Sequence, residues 1–221
     1  MTVRLGIAIF SAALLLGACS SGGHASPTTT TVGPPNGEHA SQAAAHAALL
    51  PLADLPVGTT SQTPTKPSNV SCTSKPLVNK PRFLAVAIYR LPRSSTSLGD
   101  GAQIYAPGGA TQMMRDVREV WNCPVATDSN NPDRRWSVTK LNFPSIAPGQ
   151  LSYGFQHSYP SQPAGTTTIT DDVLVLPVNS SSILELSDSV TSHNGPAVVV
   201  LPAFENFARK AWTHAESALG R

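Results

Sequence analysis

Residues 171–188 read DDVLVLPVNSSSILELSD. Two apolar runs, Asp172 to Val178 and Ser182 to Ser187, flank the small polar triplet Asn179-Ser180-Ser181. That pattern predicts two strands joined by a hairpin. Pro177 cannot donate to a strand ladder, so it belongs at a strand end or on an edge. A hairpin makes its strands antiparallel. Asp171 and Asp172 are adjacent and point to opposite sides of a strand, so they read as a solvated strand start rather than a working carboxylate pair.

Outward from this hairpin, Leu151, Tyr153, Phe155 and His157 alternate with Ser152, Gly154 and Gln156. Strict alternation predicts a half-buried strand with one wet face. Arg135 to Phe143 is a further strand of mixed pattern. Phe83 to Leu91 (FLAVAIYRL) is apolar on both alternating faces, as a covered central strand is. Ser94 to Gly109 carries four glycines and reads as a polar loop, and residues 62–81, rich in proline, read as irregular.

Three helices are predicted. Ala40 to Leu50 is rich in Ala and Leu, with Ser41 as N-cap and Pro51 as its stop. Ala110 to Trp121 places Ala110, Met113, Met114, Val117, Val120 and Trp121 on one stripe. Pro202 to Leu219 opens on a first-turn proline and carries a stripe from Phe204 to Leu219. The expected architecture is α+β: helices packed on one antiparallel sheet of four to five strands, with one central disulfide.

The N-terminus gives an address. Arg4 precedes an apolar run from Leu5 to Leu16, and Gly17-Ala18 then supply small residues, as in a secretory signal. The run is too short for a lasting membrane span. Leu16-Gly17-Ala18-Cys19 resembles the bacterial lipobox, which implies a lipidated Cys19 as the mature first residue. Acyl chains contribute about 0.8 kcal/mol per buried methylene, and two or more make anchoring stable. Ser20 to Asn36 is Ser, Thr, Gly and Pro with few apolar side chains, and it cannot offset its backbone entropy by burial. The expected division is residues 1–18 signal peptide, 19–40 lipidated cysteine and tether, and 41–221 one folded domain. This puts the domain on the extracytoplasmic face of the cell membrane, held by its N-terminal lipid.

Charged residues make up 13% of the 221-residue chain and the formal net charge is +2. With no basic run and no interleaved aromatics, nucleic-acid binding is not expected. Of three cysteines, Cys19 is assigned to lipid, leaving Cys72 and Cys123 in an oxidising compartment. A disulfide between them is expected. The competing readings are a metal pair or a reactive thiol, against which stands the lack of His or Asp at ligand spacing.

No constellation for catalysis emerges. Ser152 lies mid-strand, without the G-x-S-x-G elbow of a serine hydrolase. The six histidines are dispersed, with none paired for zinc. Gly108-Gly109 before a helix is a weak echo of a phosphate loop. The chain reads as a non-enzyme without cofactor or metal. Tyr153, Phe155 and His157 are the candidate ligand contacts, because rigid aromatics with a polar tip suit a cleft. The opposing reading is that they fill the core.

The residues AALLPLADLPVG (Ala47 to Gly58), a cysteine, a strand, and a helix ending VREVWNCP (Val117 to Pro124) together resemble the PknH-like extracellular sensor domain. DDVLVLPVN, SSILELSD and FENFARKAWTHAESAL fit its closing pattern, and the likeness spans Ser41 to Leu219. The family includes the outer domain of a mycobacterial receptor Ser/Thr kinase and many actinobacterial lipoproteins. The resemblance implies a mixed α/β domain with a ligand cleft between sheet and helices. It also implies a bridge at Cys72 and Cys123, one of the two disulfides that the kinase domain carries. Two functions follow: capture of a small or lipidic envelope ligand, or a structural and interaction role in the envelope with no small ligand.

Overall fold

The computed structural model describes residues 41–62, 64, 70–72, 79–92, 94–128, 131–161 and 165–220. The predicted signal, Cys19 and the tether lie outside the described residues.

The hairpin is present and longer than expected. Strands β8 (Gly165–Pro177) and β9 (Ser182–His193) pair antiparallel from Thr167↔His193 to Pro177↔Ile183. The Val178 N–H donates to the Ser182 carbonyl at 2.9 Å, and the Asn179 side chain accepts from the Ser181 N–H at 2.8 Å. This local side-chain bond is why asparagine suits the turn. Pro177 closes β8, where it withholds no ladder bond.

The sheet is larger than the four to five strands expected. The remaining strands are β1 (Thr60–Gln62), β2 (Val70–Ser71), β3 (Phe83–Arg90), β4 (Thr96–Ile104), β5 (Val125–Asp128), β6 (Asn131–Lys140) and β7 (Leu151–Ser161). Among the described residues, all nine form one antiparallel sheet in the order β1-β3-β4-β9-β8-β7-β6-β5-β2. Both edges are very short, three and two residues, a common defence against edge-to-edge pairing. The predicted loop at 94–109 is a second correction. Its glycines read as a breaker, yet residues 96–104 are paired on both sides, with β3 and β9. Tertiary pairing overrides the weak strand propensity of glycine. Strand β3, expected at the centre, lies second from the edge.

Among the described residues three helices cover the sheet: α1 (Gln42–Ala47), α2 (Gly109–Val120) and α3 (Leu201–Leu219). Helix α1 begins as expected, with Ser41 Oγ accepting from the Ala44 N–H at 3.2 Å. A 3-10 turn at Leu52–Asp54 follows Pro51. Helices α1 and α3 pack with Ala87, Leu98, Leu174, Leu176, Leu184 and Leu186 on one side of the sheet. Helix α2 packs with Trp136, Phe155, Val173, Val175 and Ile183 on the other. The alternating residues of β8 therefore feed two separate cores, and the strand needs apolar side chains at successive positions. Each fully buried aliphatic side chain contributes about 1.5–3 kcal/mol.

The predicted α2 stripe is buried as expected, from Ala110 to Trp121. Gly109 opens the helix because a Cβ there would lie 2.7 Å from the Tyr105 Cβ. The Cys72–Cys123 disulfide is present, with 5.7 Å between Cα atoms, but it lies at the edge of the sheet rather than centrally: Cys72 follows edge strand β2 and Cys123 follows α2. Beside it, Trp121 Nε1 donates to the Val70 carbonyl and the Cys72 N–H donates to the Val120 carbonyl, both at 2.9 Å.

Candidate ligand-binding cavity

Strand β7 has the wet face its alternation suggested only beyond Phe155. Leu151 to Phe155 are all buried, and exposure begins at Gln156. Phe155 is wholly buried and Tyr153 is 7% exposed. Both meet Trp121 edge-to-face, at 5.1 and 5.3 Å between ring centres. They fix α2 to the sheet. His157 lies farther along, where Nδ1 and the Arg135 carbonyl are 2.7 Å apart. Its ring stands between Trp136 at 5.2 Å and Tyr159 at 5.5 Å. Two of the three predicted contacts are thus core residues, and the third belongs to a cross-strand aromatic ladder.

A cavity of about 540 Å³ opens on the opposite side of the sheet. It lies between the first half of α3, the 3-10 turn, the β3–β4 connection and strands β4 and β9. Leu55, Leu91, Leu98, Val200 and Phe207 give it apolar walls, while Thr96, Asn206 and Lys210 add polar groups. Asp188 also lines it, although this side chain is only 2% exposed and its Oδ1 is buried with no hydrogen-bond partner. The walls follow from local sequence. Phe207 lies on the α3 stripe and meets Tyr89 edge-to-face. Leu98 and Asp188 are direct cross-strand partners.

The register explains the electrostatics. Asp188 stands opposite Asp172 across β8 and β9, and opposite Leu98 across β4 and β9. Asp100, two residues beyond Leu98, shares this side of the sheet. Loss of water pushes the Asp188 carboxyl up to about 7, with the Asp172 charge adding to the rise. Burial likewise raises Asp172 to about 6. Asp100 is raised to about 7 by burial, against which its Oδ2 accepts the Leu50 N–H at 2.7 Å. Tyr89 completes that anchor by donating its hydroxyl to the Leu50 carbonyl at 2.5 Å.

Asp171 faces the α2 side and is fully buried. Burial raises it to about 8, opposed by Ser189, strengthened by Asp172 and Asp188, and eased by Arg134. Farther along the same side of the sheet, the Tyr105 hydroxyl donates to Gln103 Oε1 at 2.5 Å, and Gln103 Nε2 donates to Glu185 at 2.8 Å. The expectation of a solvated pair at Asp171 and Asp172 is therefore overturned. The strand begins at Gly165, six residues earlier, and carries both carboxyls into the cores. The run Thr166 to Thr170 (TTTIT), rich in β-branched residues, was the available signal for that extension.

Among the described residues, no group of three or more His, Cys, Asp or Glu side chains has the arrangement of a metal site. No described helix is long and apolar enough to cross a membrane. No protein-family model, curated protein or solved structure matches the chain.

Proposed function

We propose that this chain is a lipid-anchored extracytoplasmic protein of the PknH-like sensor type. Its domain captures a small or lipidic envelope molecule, without catalysis, in the cavity between α3 and the sheet. The carrying observation is the cavity itself: about 540 Å³ of largely apolar space that reaches a buried carboxyl. Ligand sites of this kind combine apolar walls with a few convergent polar groups that set orientation. The cleft lies between sheet and helix, as the family resemblance implies, but on different residues from those the sequence nominated.

A second reading, contact with another envelope protein, draws on Val57, Val198 and Val200, which are 100%, 66% and 63% exposed. The two separate with a neutral apolar dye, N-phenyl-1-naphthylamine. The capture reading expects saturable, one-to-one fluorescence enhancement that Ala203→Trp removes, because Ala203 lines the cavity and is itself exposed. Absence of saturable binding to the intact chain would leave the protein-contact reading in its place.

A further inference from the structure

Asp188 is an expensive residue for a core. Its side chain is 2% exposed, Oδ1 has no hydrogen-bond partner, and Asp172 directly opposite is a second carboxyl rather than a cation. A buried carboxylate without a counter-charge is strongly unfavourable. The surrounding charged groups do not supply one. Asp172 approaches from β8 and Asp100 sits on β4. Asp54 and Lys210 stand on the cavity wall. Lys210, the cation among them, directs its Nζ to the Asp54 carbonyl at 3.2 Å. Leu98, the cross-strand partner of Asp188, with Val200 and Phe207, supplies apolar wall, and Thr96 and Asn206 are uncharged polar groups on it.

We propose that the cavity selects amphipathic amines, with the ammonium seated on Asp188 and the apolar body against Leu98, Val200 and Phe207. This deepens the capture reading and rests on it. A single cation at the end of an apolar body meets both requirements of the space. It pairs the orphaned carboxyl and fills the walls that water wets poorly. A fatty acid or phosphate would instead bring a second anion toward Asp172 and Asp188. An amine also has a pH signature. Its ion pair needs the carboxylate, and burial holds the Asp188 proton on up to about 7. Amine binding should therefore weaken on acidification, while a neutral ligand of the same shape should not respond.

The experiment is displacement of N-phenyl-1-naphthylamine from the intact chain by octylamine and by 1-octanol, at pH 8 and pH 5. Octylamine is expected to compete about tenfold or more better than octanol at pH 8, a difference of about 1.4 kcal/mol. That preference should shrink at pH 5, and Asp188→Asn should remove it. Equal competition by both ligands at pH 8 would overturn amine selection yet leave the cavity reading standing. Failure of the dye itself to bind would instead overturn the cavity reading. The pH comparison uses the unaltered protein, so the result does not depend on the variant folding.

Discussion

Asp100, Asp171, Asp172 and Asp188 all lose their water on folding, and their carboxyls rise from 3.8 to about 7, 8, 6 and 7. The folded chain holds these protons after the unfolded chain has released them. The native state thus binds more protons, and stability falls as pH rises from about 4 to about 8. Thermal unfolding should be higher at pH 5 than at pH 8, by the equivalent of more than about 1.4 kcal/mol, one pK unit at one group. Asp171→Asn should raise the pH 8 value and flatten the profile. A profile that climbs between pH 5 and pH 8 contradicts this account of the carboxyls. At Phe155 the expectation is simpler: truncation to Ala empties the space beneath Trp121 and should cost about 3–5 kcal/mol in denaturant unfolding. A loss below about 1 kcal/mol would place Phe155 in an open cleft instead. Alternation correctly put Tyr153 and Phe155 on one face of β7. It carries no information on what covers that face, since α2 and Trp121 arrive from a separate segment upstream. The aspartates were hidden for a related reason: carboxyls near an apolar run mark a strand end unless the strand is seen to continue.

Among the elements, α2 and the hairpin were legible because each has a strong local period and its own turn chemistry. The stripe from Ala110 to Trp121 and the Asn179 turn need no distant partner to be read. Strand β4 was not, because its glycines weaken the local signal and its identity comes from β3 and β9 on either side. Gly109 tests how tightly α2 is seated. With the Tyr105 Cβ 2.7 Å from any added Cβ, Gly109→Ala should destabilise the fold despite the better helix propensity of alanine. Equal or greater stability in chemical denaturation would mean that α2 can shift. The disulfide, with 51 residues of sequence separation, ties short β2 to the end of α2. The loop-entropy relation gives roughly 4 kcal/mol for such a closure. Paired Cys72→Ala and Cys123→Ala substitution should lower stability by about that order, and an unchanged denaturation midpoint would contradict it.

At the scale of the molecule, the nine strands of the described residues form one sheet with two main cores on opposite faces, held by α1 with α3 and by α2. The α+β class and the antiparallel pairing were readable from hairpins and amphipathic stripes. Sheet size was not, since β1 and β2 have three and two residues and are strands only through their partners. The cavity was unreadable for the same reason: the 3-10 turn and β4 that line it are far in sequence from β9 and α3. The proposed address is tested by Cys19→Ala, which should release the protein from membranes or leave it unprocessed. A processed variant that stays membrane-bound would contradict lipid anchoring. Capture of a ligand is tested by native mass spectrometry of the intact protein from its own host. A bound small molecule is expected, lost on denaturation and depleted in Ala203→Trp. A native mass equal to the denatured mass, or an adduct that Ala203→Trp retains in full, would contradict it.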